Sequence, residues 1–366
     1  MLKLFEMFAG YGGASFALDK AAIDFECVGY SEIDKYAIQC YEQNHYDVAI
    51  EAGEILPQEY LQMEHKNYGD CTKIDPEELP DFDLLTGGFP CPTFSLAGKG
   101  KGEEDPRGKL FHEIVRIAEA KQPKYMLLEN VKGLVTEPHK DTFEKILKEL
   151  DRIGYLVHTR VLNSKQYGIP QSRDRVWFMC IRRDFANEWA HFRWPKKNKL
   201  ELFLKDIMEK EVDEKYYLSK KAIEGITKSN YHDRKPQMKD ICATLKCGGD
   251  IKCIPGPFIV ASRGRNPLDP SDRSKGSKME QRLEPRTDGT TNCILPTQKD
   301  NFLVQDSKIR RLTPTEYFRL MGFLDDEINL DGLSDTQRYK LAGNGWDINL
   351  VSKIFKEMFK SKKESK

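Results

Sequence analysis

The chain has no run of about 18 consecutive apolar residues, the length a helix needs to cross a bilayer. Its opening residues, Met1-Leu2-Lys3-Leu4, do not begin the basic-then-apolar profile of a secretion signal. These absences predict a soluble, cytoplasmic protein without a membrane partner. Charge of one sign is not in excess either: 58 Lys and Arg meet 58 Asp and Glu, for a net charge of +0. A polyanionic partner must therefore be met by a local patch. None of the 9 cysteines stands in a Cys-x-x-Cys pair, so there is no thioredoxin-like motif. Cys242, Cys247 and Cys253 lie close together, but their spacing fits no common zinc pattern, and no metal is expected. Scattered thiols in odd number fit a reducing compartment. No internal repeat appears.

A length of 366 residues is enough for two domains and a sizeable core. Over residues 1–185, strand-like and helix-like segments alternate. The apolar runs predict strands at Leu2–Phe8, Cys27–Tyr30, Phe82–Thr86, Tyr125–Glu129 and Val176–Ile181. Helical spacing of Leu110, Ile114, Ile117 and Ala118 predicts a helix over Lys109–Lys121. Phe143, Ile146, Leu147 and Leu150 predict another over Asp141–Ile153, with Asp141 and Glu144 as a capping pair. This alternation predicts an α/β fold with a doubly wound, mostly parallel sheet. Over 186–308 periodicity is weak, and polar residues, Pro and Gly dominate around a modest positive excess. Ser262 to Arg286 carries Arg263, Arg265, Arg273, Lys275, Lys278, Arg282 and Arg286. It reads equally as a solvated loop or as a surface for phosphates and base edges. Helical patterning returns over 310–366.

The run Gly87-Gly88-Phe89-Pro90-Cys91-Pro92-Thr93-Phe94-Ser95 follows one predicted strand, and Gly98, Gly100, Gly102 and Gly108 follow it. That order puts Cys91 at a strand's carboxyl end, where open α/β sheets bind ligands, beside a Gly-hinged loop. A thiolate is a strong nucleophile at neutral pH. A lone cysteine is more often inert core; here the flanking prolines, the loop and an acid downstream favour the nucleophile.

Phe8-Ala9-Gly10-Tyr11-Gly12-Gly13-Ala14 lies between a strand and a helix. Glycines there admit a ligand to the backbone and the helix start. The third glycine of the dinucleotide fingerprint is replaced by Ser15. Glu32 ends the second strand, where a carboxylate can accept both hydroxyls of a ribose. Asp70, in Gly69-Asp70-Cys71, can meet an adenine amino group. The set suits a nucleoside cofactor without a pyrophosphate, S-adenosylmethionine, with NAD as the runner-up. Glu129-Asn130-Val131 ends another strand, where Glu129 reads either as a proton-holding acid or as a surface cap. Arg173 and Arg175, in Gln171-Ser172-Arg173-Asp174-Arg175, alternate and so share a face. Two arginines near an acid and a nucleophile suggest an anionic or carbonyl-bearing substrate.

Together these segments resemble the cytosine-C5 DNA methyltransferases of bacteria and their phages. Phe8 to Gly13 is similar to the family's first cofactor motif, and Pro90-Cys91 with Phe94-Ser95 to its nucleophile motif. Glu129-Asn130-Val131, Gln171 to Arg175, Arg311-Leu312-Thr313-Pro314 with Glu316, Arg319, Gly322 and Phe323, and Gly343-Asn344 follow in family order. Two departures are Gly345-Trp346, where many members have Ser-Val, and Pro92.

The resemblance implies a Rossmann-like methyltransferase domain over 1–185, completed by about 335–366. It implies a smaller, irregular target-recognition domain over 186–308 and a connecting segment over 309–334. It implies transfer from S-adenosylmethionine, leaving S-adenosylhomocysteine, to cytosine flipped out of double-stranded DNA. In this reading Cys91 adds to C6, Glu129 protonates N3, Arg175 holds O2 and Arg173 holds nearby backbone. Phe8, Gly10, Gly12, Gly13, Glu32, Asp70, Pro90 and Asn344 contact the cofactor. Ser95 and Arg107 lie near phosphates, and Arg263 and Arg265 belong to the DNA surface. A monomer is implied, serving restriction-modification or phage self-protection beside a cognate endonuclease without a stable complex. Two other readings compete. A tRNA cytosine methyltransferase of the same superfamily would carry a Cys-Phe-Thr signature, which is absent. An inactive DNA-binding relic would have lost Cys91, Glu129 or Arg175, and all three are present.

Overall fold

The computed structural model describes residues 1–45, 66–89, 110–137, 139–189, 192–227, 257–266, 280–286, 288–296, 300–305 and 308–360. Six strands form the main sheet: β1 (Leu2–Met7), β2 (Phe25–Ser31), β3 (Leu84–Gly88), β4 (Tyr125–Val131), β5 (Tyr155–Asn163) and, after the short β6 (Gln171–Ser172), β7 (Asp174–Arg182). Their order is β2-β1-β3-β4-β7-β5. The first four are parallel, and β7 runs antiparallel to both of its neighbours. Only β7 is reversed, so five of the six strands point the same way and the expectation of a mostly parallel sheet holds. Strand β5 was not legible, because an edge strand carrying His158, Thr159 and Arg160 lacks a continuous apolar run.

Period-two alternation sends neighbouring side chains to opposite faces. Leu4, Leu84, Leu127 and Trp177 enter one core; Phe5, Leu85, Met126, Leu128 and Phe178 enter the other. Helices α1 (Gly13–Ala21) and α2 (Lys35–His45) cover the first face. The second is covered by α3 (Leu110–Lys121), through Phe111, Ile114 and Ala118, and by α4 (Lys140–Arg152), through Ile146 and Leu150. Helix α4 starts earlier than expected: its N-cap is His139 and no side chain caps it, so Asp141 sits in the first turn rather than at the cap.

From the C-terminal part come α5 (Pro314–Arg319), α6 (Asp335–Asn344) and α7 (Ile348–Met358). Helix α7 packs on α1, so the end of the chain completes the first layer. At the start of α5, Thr313 and Glu316 form a capping box. Glu316, 0% exposed, also pairs with Arg310 at 2.6 Å, so the buried charge is compensated.

The region read as irregular contains regular structure. Strands β8 (Phe258–Arg265), β9 (Glu280–Arg286), β11 (Phe302–Gln305) and β12 (Lys308–Arg311) form an antiparallel sheet in the order β12-β11-β8-β9. Val260, Phe302, Val304 and Ile309 give it a small core. The two-residue β10 (Thr291–Asn292) pairs in parallel with β6 and ties this region to the main body. No helix among the described residues is long and apolar enough to cross a membrane.

Candidate active site

The chain leaves β1 for β2 on one side and returns to β3 on the other, so the carboxyl ends of β1 and β3 flank a crevice. A cavity of ≈ 670 Å³ opens there. Its walls come from the turn after β1, the ends of β2, β3 and β4, and the turn after α6. Phe8, Gly10, Gly13, Glu32, Asp70, Glu129, Arg173, Arg175 and Asn344 all line it, residues drawn from across the sequence.

The turn after β1 takes three left-handed residues: Phe8 at φ 54°, Gly10 at φ 60° and Gly12 at φ 83°. Such a conformation is strained for Phe8. At Gly10 a Cβ would meet nothing within 4 Å, leaving the backbone open to a ligand. Gly12 differs from expectation: it does not line the cavity, and a Cβ there would lie 2.1 Å from the His45 ring. Its glycine serves the packing of α2 against the turn. The Glu32 carboxylate accepts from the Gly10 amide at 3.0 Å and from the Ile33 and Asp34 amides at 2.8 and 2.9 Å. Asp70 accepts from the Thr72 amide and hydroxyl, which hold its carboxyl below the usual range.

Under the turn lies a carboxyl not singled out from the sequence. Glu6, 2% exposed, faces the start of α1. It accepts from the Ser15 hydroxyl at 2.5 Å and the Ala14 amide at 3.2 Å. Burial pushes its pKa up to about 7 against the pull of those donors. A glutamate inside the apolar run Leu4-Phe5-Glu6-Met7 was the available signal.

Across the cavity, the Arg175 Nε sits 2.6 Å from Glu129 Oε1, joining the ends of β7 and β4. Arg173 precedes β7 rather than lying on it, yet its guanidinium comes to the same place. Its NH groups donate to the carbonyls of Ile294 (3.3 Å), Gly343 (3.3 Å) and Gly345 (2.8 Å). It is therefore a tether for the turn after α6. Burial, and then the neighbouring Arg175, lower its pKa. Beside both arginines stands Cys293, also unforeseen, with its sulfur 3.5 Å from Arg173 Nη1 and 3.8 Å from Arg175 Nη2. The Asn130 amide donates to the Phe89 carbonyl at 3.2 Å, fixing the end of β3 to β4.

The departure at Gly345-Trp346 has a steric account. The Tyr11 ring occupies the space of a residue-345 side chain, where a Cβ would lie 2.1 Å from Cε1. The Trp346 indole packs edge-on against Trp177 with centroids 5.1 Å apart, and lines the cavity next to Gly88. A large aromatic at 11 and none at 345 are thus complementary.

Pro90, Cys91, Ser95 and Arg107 lie outside the described residues, as does the Arg265 side chain. Arg263 is engaged within its own sheet, 3.3 Å from Glu284 and 3.7 Å from Asp300. No cluster of three or more His, Cys, Asp or Glu among the described residues could hold a metal.

A family model described as C-5 cytosine-specific DNA methylase matches residues 2–360. The chain belongs to that family. It is accordingly a DNA cytosine-C5 methyltransferase, of a family and fold that use S-adenosylmethionine. It is 32% identical to the type II methyltransferase M2.ScrFI of Lactococcus lactis subsp. cremoris, over 99% of this chain and 100% of that one. It is 34% identical to the type II methyltransferase M.NlaX of Neisseria lactamica, over 98% and 96%. Among solved structures it is similar to a mutant of Spodoptera frugiperda DNMT2, with a TM-score of 0.63 and 19% identity over 98% of this chain and 100% of that one. That likeness shows the α/β methyltransferase fold.

Proposed function

We propose that this methyltransferase modifies a cytosine flipped out of duplex DNA within one short sequence context, protecting that DNA from a restriction endonuclease. The type II relatives support the biological role. The observation that carries the chemistry is the Glu129–Arg175 pair at the cavity wall. A stacked base could not reach a carboxyl and a guanidinium recessed at strand ends, so the cytosine must leave the helix.

The cavity fits S-adenosylmethionine. Gly10 gives open backbone, the Glu32 carboxylate stands where a ribose can be held, and Asp70 lies at the next chain segment. Phe8, Gly13, Pro90 and Asn344 complete the proposed set. When bound, S-adenosylmethionine supplies an electrophilic methyl group. The chain's own residues prepare the base. The Cys91 thiolate forms a bond to C6, and the displaced ring electrons raise the nucleophilicity of C5. Glu129 delivers a proton to N3 as this charge develops, and Arg175 donates to O2. Arg173 acts through the backbone it holds. After transfer, C5 loses its proton to water, the electrons of that bond form C5=C6, the S–C6 electrons return to sulfur, and N3 gives its proton back to Glu129, which restores the ring and frees Cys91.

In this reading residues 1–185 and about 335–366 perform the chemistry, 186–308 read the target and 309–334 connect them. The small cluster of Val260, Phe302, Val304 and Ile309 on one face of the β12-β11-β8-β9 sheet supports such a division, while Ile259 and Leu303 on its other face join the main core. The chain acts as a monomer, without a stable endonuclease complex. Bisulfite sequencing of a plasmid from expressing cells tests the function. Protected cytosines in one recurrent context, absent with Cys91→Ala, are expected. An unprotected plasmid in the presence of soluble wild-type protein would count against a DNA substrate.

A further inference from the structure

Two guanidiniums stand side by side at the site, Arg173 at 3% exposure and Arg175 with a side chain 13% exposed. Among the described residues, Glu129 is the one carboxylate within ion-pair distance of either. Two buried positive charges against one negative charge leave an uncompensated charge, which is costly at low dielectric. The third group in contact with both is the Cys293 sulfur. Its place is set by topology. Strand β10 pairs with β6 through Asn292 and Ser172, so the residues that follow, Cys293 and Arg173, lie alongside. The Ile294 amide donates to Gln171 Oε1 at 3.1 Å and locks that register.

We propose that Cys293 is a positioning residue for Arg175, its sulfur accepting from the guanidinium and so holding it in place to meet the base carbonyl. Arg175 has three directions of donation, and each has a partner: Nε to Glu129, Nη1 to the Asp174 carbonyl at 2.9 Å, and Nη2 to Cys293. When Glu129 turns to an arriving base, Cys293 keeps one edge of the fork anchored. Burial pushes the Cys293 thiol up, but Arg175 and then Arg173 outweigh it and hold the thiol below its ordinary value. The other titratable group facing it is the Tyr317 phenol from α5, which burial raises far above neutrality. The inference rests on the proposed role of Arg175 in holding the base.

The test has two arms. In the first, the initial rate of Cys293 alkylation by iodoacetamide is followed against pH, peptide by peptide, in the wild-type chain. The midpoint is expected below the ordinary thiol value of 9.0, and Arg175→Gln is expected to move it up. A midpoint at or above the ordinary value, or no movement in the variant, overturns the proposal. In the second, Cys293→Ala is expected to lower kcat about tenfold, the loss of one charge-assisted contact, at unchanged KM for S-adenosylmethionine. Cys293→Asp, which restores an acceptor for Arg175, recovers most of that loss. Equal rates for wild type and Cys293→Ala, or an Asp variant no better than Ala, overturn it. Should Cys293→Ala not fold, the alkylation arm decides alone. An unchanged methyl-transfer rate for Arg175→Gln would sink the base-holding reading while leaving the Cys293 titration as measured.

Discussion

The Tyr11 hydroxyl donates to the Trp346 carbonyl across 2.5 Å, joining positions 335 residues apart. The same tyrosine ring fills the space next to Gly345, while Arg173 holds the Gly345 carbonyl from the other side. The first cofactor turn and the last motif are therefore built as one object. Gly345→Ala is expected to destabilise the protein by about 2 kcal/mol through overpacking. Tyr11→Leu in the same chain should return much of that, because the obstructing ring is gone. Thermal melts of the single and double variants check it; additive losses would show that the two positions are not in steric conflict.

Glu6 makes stability depend on pH. Its folded pKa, about 7, lies above the usual value of 4.5, so the folded protein holds a proton that the unfolded chain releases. The associated stability is full below about pH 4.5, declines as pH rises, and is lost above about pH 7; its size is on the order of 3 kcal/mol. Glu6→Gln should flatten the melting temperature between pH 5 and 7, roughly the window of that titration. A wild-type-like slope in the variant would assign the dependence to another group.

Glu129 and Arg173 are expected to fail differently. Glu129→Gln should slow methyl transfer by roughly a hundredfold or more, the usual contribution of a general acid. Arg173→Met leaves the carbonyls of Ile294, Gly343 and Gly345 without their donor, so it should lower the melting temperature, by about 2 kcal/mol or more of stability. Rate assays and melts on both variants separate the two. A stable but slow Arg173→Met enzyme would give that arginine a direct part in the chemistry.

Arg263 is paired with Glu284 and Asp300, which blunts it as a phosphate ligand. Arg263→Gln is expected to leave the salt dependence of DNA binding nearly unchanged. A fall in slope of about 0.9, the value of one phosphate contact, would place it on the DNA backbone instead.

Much of the catalytic half was legible. Strands β1 to β4 announce themselves as apolar runs, and residues at or just beyond their carboxyl ends line the cavity. Strand β5 and the β8–β12 sheet were not, because edge strands and short strands bearing His158, Arg160, Arg263 or Arg286 lack the buried-strand pattern. Gly12 illustrates a subtler limit. Its motif marks a glycine requirement, and the His45 ring of α2, which stands where a Cβ would be, imposes one of its own.

The sequence by itself determined the family, the order of the motifs and the chemical type of the residues at each strand end. Those follow from local patterns: period-two apolar runs, glycines at turns, and acids and arginines beside them. Only the tertiary structure decided which charges meet. Arg175 faces Glu129 because β7 runs antiparallel to β4. Cys293 reaches both arginines because β10 pairs with β6, and Tyr11 closes on Trp346 because α7 docks on α1. The physical reason is that electrostatic and steric contacts depend on distance in space, and these partners are between 46 and 335 residues apart along the chain.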